Sequence, residues 1–80
     1  MKAINIIFVI KNGVVKTPFA TTDDVVAEAH FDNLSHELLG DEYDYILGNK
    51  IDYETKLVVL NNYLNNLGIS VEWFIEIDVV

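Results

Sequence analysis

Two consecutive residues, Asn12 and Gly13, sit between two apolar stretches, and a tight hairpin is the arrangement that suits them. Asn-Gly is the preferred two-residue type I′ turn, because both of its positions need positive φ. Residues 3–10 therefore read as a strand, with Ile4, Ile6, Phe8 and Ile10 on one face and Ala3, Ile7 and Val9 on the other. Residues 14–20 are its partner. Pro18 has no N–H for a ladder, which puts this second strand at a sheet edge.

The stretch "TTDD" predicts a helix start. Thr21 is the expected cap with Asp24 three residues on, and Asp23 and Asp24 suit the positive end of the helix dipole. Ala27, Phe31, Leu34 and Leu38 then recur on one helical face, and Gly40 suits a left-handed C′ position. A second helix is expected from Asp52, burying Tyr53, Leu57, Leu60, Leu64 and Leu67 and stopping at Gly68. Between them, "DEYDYILGNK" reads as a turn or short helical piece closed by Gly48-Asn49.

The C-terminal stretch "GISVEWFIEIDVV" alternates, with Val71, Trp73, Ile75, Ile77 and Val79 on one side and Glu72, Phe74, Glu76 and Asp78 on the other. It predicts a third strand whose apolar side closes the core under the helices. The expected plan is α+β, ββα(α)αβ, with two helices on one face of a three-stranded mixed or antiparallel sheet. An apolar first strand and a proline-bearing second favour the order 2-1-3. Two antiparallel helices would return the chain to the end where it left the sheet, so that the last strand lies parallel to the first or antiparallel to the second.

Eighty residues predict a single domain over 1–80. Such a chain buries only about 60–65% of the surface its unfolded form exposes. Yet 51% of its residues are apolar or aromatic, enough to leave apolar surface uncovered or in need of a second chain. The longest apolar run, Ile6 to Ile10, is far short of the roughly 20 residues of a membrane span. The N-terminal stretch is read as strand rather than secretory signal, because Asn5 interrupts it and no small-residue cleavage site follows. With no cysteine, the expected setting is a reducing compartment, the cytoplasm.

Thirteen acidic residues against five lysines and no arginine leave a net charge of −8 at pH 7. That sign disfavours direct contact with nucleic acid or anionic membrane. A protein partner with a basic surface is the complementary class.

No catalytic constellation is evident. His30 and His36 are six residues apart, whereas a helical metal pair wants a spacing of about four. His30 reads as a boundary residue, and His36 as an ion-pair partner for Asp32 four residues before it. Neither Ser35 nor Ser70 lies in a nucleophile motif. The expectation is no enzyme, no metal and no cofactor.

Three acidic groups are the candidate contacts. Asp24, Glu28 and Asp32 form a row at i, i+4 and i+8, with about 6 Å between successive side-chain bases. That is near the phosphate repeat of a nucleic-acid strand, so the row either imitates phosphates toward a basic groove or is a solvated acidic face. Asp41, Glu42 and Asp44 interleave with Tyr43 and Tyr45; tyrosine is enriched at interface hot spots, or one ring packs under the helix ends. Glu72, Phe74, Glu76 and Asp78 make the third group, with Phe74 as anchor. Asn61, Asn62, Asn65 and Asn66 lie off the buried face of the second helix beside Tyr63, as hydrogen-bonding groups for a partner or as a bias of composition.

No motif assigns the chain to a family. In general character (short, acidic, without cysteine or a catalytic set) it is similar to many small inhibitors carried by phages and mobile genetic elements, of the anti-restriction, anti-CRISPR and immunity type. That resemblance implies a module that occludes a basic, nucleic-acid-binding site on a larger protein. The alternative is a homodimeric structural or regulatory subunit, joined through the open sheet face or the C-terminal edge strand.

Overall fold

A computed structural model describes residues 2–49 and 52–78. The chain runs through β1 (Lys2–Lys11), β2 (Val14–Thr21), α1 (Asp24–Leu39), a 3-10 turn (Gly40–Glu42) and the single-turn helix α2 (Tyr43–Ile46). It continues through α3 (Tyr53–Leu64) and a second 3-10 turn (Asn65–Leu67) into β3 (Ile69–Asp78). The strands form one antiparallel sheet in the order β2-β1-β3. This is the α+β plan expected, with the first strand central.

Asn12 and Gly13 adopt φ of 53° and 81°, the left-handed pair that a type I′ turn requires. A bulge interrupts the β1–β2 register between Ile7 and Val9, opposite Thr17 and Pro18. Helix α1 is capped by Asp23, whose carboxylate accepts the N–H groups of Val25 and Val26. Thr21, the expected cap, is still the last residue of β2, and its hydroxyl accepts from the N–H of Asp23 at 3.1 Å. Helix α3 starts after Asp52, as expected, with the Asp52 carboxylate accepting from the N–H groups of Glu54 and Thr55.

The core joins Ile7, Val9 and Val71 of the sheet to Ala27, Phe31, Leu34 and Leu39 of α1, to Leu47, and to Leu60 and Leu64 of α3. Leu38 is only half-buried. Leu67, expected inside, is exposed: the last turn tightens to 3-10 geometry after Leu64, rotating residue 67 off the α-helical stripe. Asn5 is buried at the sheet's other end. Its amide donates to the Asp24 carboxylate at 2.9 Å, and its oxygen accepts from Trp73 Nε1 at 3.0 Å. One side chain thus ties β1 to α1 and β3.

The helices are not antiparallel, and this sets the direction of the last strand. Helix α1 begins beside Asn5, and its later residues Leu34 and Leu38 lie beside Val9 and Lys11. Helix α3 begins beside Trp73 and Ile75, which face Ile7 and Asn5, and leads to Gly68, whose carbonyl accepts from the N–H of Asn12. Both run toward the hairpin end. The return is made between them, and β3 leaves that end antiparallel to β1 instead of parallel to it.

A second expectation fails for a reason of length. Val71 is fully buried and Trp73 half-buried, but Ile75 and Ile77 are 65% and 58% exposed; Val79 lies outside the described residues. Ten residues of strand extend about 33 Å, whereas the twelve of α3 cover about 18 Å. The sheet outruns its helices.

Candidate functional site

The three acidic groups do not form one surface. The α1 row is partly engaged within the fold, with Asp24 still exposed. Asp24 holds the Asn5 amide, Asp32 accepts from the Tyr53 hydroxyl at 3.0 Å and pairs with Lys56 at 3.7 Å, and Glu28 is half-buried. Burial, followed by the Asp32 hydrogen bond and charge, pushes the Tyr53 hydroxyl up to about 12. Lys56, not His36, is the ionic partner of Asp32. His36 instead stacks on Tyr43, ring centroids 3.6 Å apart.

That stack divides the second group. Tyr43 is half-buried against α1, while Tyr45 stands 86% exposed among the exposed Asp41, Glu42 and Asp44. His30, at the edge of the helix layer, stacks on Phe19 at 4.0 Å, and burial holds its pKa below the usual histidine range.

The third group lies on the face of the sheet opposite the helices. The register places Glu72, Phe74 and Glu76 of β3 beside Phe8, Ile6 and Ile4 of β1, and Val15 and Ala20 of β2 beside Ile10 and Ile6. Phe74, half-exposed, packs on Phe8 with centroids 5.8 Å apart. Among the described residues no element covers this face. It carries an apolar centre of Ile4, Ile6, Phe8, Ile10 and Phe74, with the Glu72 and Glu76 carboxylates along one margin. Asp78 is placed by its backbone opposite Lys2.

The outer edge of β3 has a feature that sequence reasoning missed. The Asn61 amide donates to the Val71 carbonyl at 2.9 Å, and its oxygen accepts the Val71 N–H at 2.7 Å. Asn61 therefore points at the strand rather than away from the buried face. Because Val71 turns both groups away from β1, the two-residue period of the ladder turns those of Trp73, Ile75 and Ile77 outward as well. Asn61 seals one position, and the next three have no strand neighbour among the described residues. A side chain bonding backbone ten residues away has no periodicity that a sequence could display.

Beside the open part of this edge, on the helix side, Tyr53, Glu54, Leu57, Trp73 and Ile75 line a cleft of about 300 Å³. Its lining residues are apolar or aromatic apart from Glu54, which is exposed.

No family model matches the chain, and no curated protein or solved structure shows significant similarity to it. No helix among the described residues is long and apolar enough to cross a membrane.

Proposed function

We propose that the protein is a non-catalytic binding module of the cytoplasm that docks on a larger, basic protein through the open face of its sheet. The observation that carries this reading is the uncovered apolar centre around the Phe8–Phe74 pair with carboxylates at its margin. An apolar patch with a charged rim is the usual anatomy of a contact surface, and a net charge of −8 selects for a basic counterpart and speeds encounter with it. Occupying such a surface occludes it; where that surface binds nucleic acid, the module inhibits by exclusion. Asp24 and Asp32 each serve an internal contact as well, so the reading rests on the sheet face rather than on the α1 row.

The test is capture from a lysate by the immobilised protein, beside a variant carrying Phe74→Lys and Glu72→Lys. A basic partner retained by the natural chain, lost by the variant and released as salt rises supports the reading. Retention by both, or insensitivity to salt, contradicts it.

The same uncovered face supports a second reading, a homodimer joined face to face. Light scattering at micromolar concentration separates the two: a monomeric mass eliminates the dimer.

A further inference from the structure

We propose that the outer edge of β3 from Trp73 to Ile77 accepts an extended segment of a basic protein as a fourth strand, with a lysine or arginine of that segment seated in the Tyr53–Trp73 cleft. This rests on the reading that the partner is basic and adds how it is gripped. Two observations converge on the position. The backbone groups of Trp73, Ile75 and Ile77 face outward without a strand neighbour among the described residues, while Asn61 closes the edge at Val71 and so fixes where an added strand must stop. A row of unpaired N–H and C=O groups on an apolar edge is a template for another strand.

The cleft then decides the chemistry. A strand laid against Ile75 directs alternate side chains to the helix side, toward Tyr53, Leu57 and Trp73, with Glu54 contributing a carboxylate. A long aliphatic stem ending in a cation matches both parts: the stem packs on the apolar walls and the charge meets Glu54, while the Tyr53 ring already carries the ammonium of Lys56 at 4.6 Å. A second copy of this chain matches less well. Residues 69–78 contain no lysine and three acids, and self-pairing centred on Ile75 sets Glu72 opposite Asp78, like charges face to face.

The probe is a blocked ten-residue synthetic peptide of alternating lysine and valine, titrated at low ionic strength into the full chain. Trp73, the one tryptophan of the chain, reports through its fluorescence, and amide hydrogen exchange reports on the edge. The expected result is saturable binding that shifts the Trp73 emission and protects the amides of Ile75 and Ile77. Glu54→Gln should weaken it at least threefold. Ile75→Pro removes an outward N–H without touching the β1 ladder, so it should keep the free protein's circular dichroism and lose binding at least tenfold. A peptide of alternating glutamate and valine should not bind.

No binding by the lysine peptide, binding indifferent to Glu54→Gln, or binding without protection at Ile75 and Ile77 overturns the proposal. So does protection of those amides in the free protein that fades on dilution, which would make a second copy the occupant. Phe8→Ser, on the open face and away from the edge, should leave the titration unchanged while weakening lysate capture. Failure at the edge is thereby distinct from failure at the sheet face.

Discussion

Asn61 holds Val71 by both of its backbone polar groups, at 2.9 Å to the carbonyl and 2.7 Å from the N–H, and so takes the place of a neighbouring strand at a fully buried residue. A helix side chain here completes a sheet. Removing it leaves a donor and an acceptor of β3 facing α3 without partners, at a cost of about 1–3 kcal/mol. Asn61→Ala should lower the urea midpoint accordingly. Asn61→Asp should also destabilise, since a carboxylate accepts the N–H but cannot donate to the carbonyl.

Tyr53 links the helix layer through Asp32, and its hydroxyl is raised to about 12 from an ordinary value of 10.0. A folded-state value above the unfolded one means that the folded chain holds this proton more tightly. The stability contributed is complete below pH 10 and is lost as the pH climbs toward 12. Tyr53→Phe should therefore show a smaller loss of thermal stability over that interval than the natural chain. In ultraviolet titration, the tyrosinate signal that this substitution removes should be one that develops above the ordinary tyrosine range.

The overhang of the sheet separates residues that the alternation of β3 treats as equal. Val71 is fully buried and Ile77 is 58% exposed. Val71→Ala should cost about 2 kcal/mol through lost burial and a residual cavity, whereas Ile77→Ala should stay within about 0.5 kcal/mol, as surface substitutions usually do. Equal losses in chemical denaturation would mean that the helices reach further along the strand than they do here.

The parts of the fold that were legible in the sequence are those written in local chemistry. Asn12-Gly13 could serve little but a hairpin, Pro18 belonged at an edge, and Asp52 before an apolar stripe marked a helix start. The strand order followed from which strand was apolar on both faces. Relative direction was not legible: whether α3 runs with α1 or against it depends on the return between them, and nothing in "DEYDYILGNK" encodes its sense. Nor was the fate of the acids. Asp24, Glu28 and Asp32 lie in a row by helical spacing, but that two of them meet Asn5, Tyr53 and Lys56 is a matter of packing between elements. Of the candidate contacts, Phe74 and its flanking glutamates do lie on an uncovered face, because alternation in an edge strand is local too. Asn61, the residue that closes part of that edge, looked like one more asparagine among four.

The outer edge of β3 is closed at Val71 by Asn61 and open beyond it among the described residues. Native-state amide hydrogen exchange of the free protein at low concentration tests this residue by residue. Exchange should be slow at Val71, whose N–H is held by Asn61, and faster by orders of magnitude at Ile75 and Ile77, whose N–H groups face outward. Slow exchange at Ile75 and Ile77 in the dilute monomer would contradict it.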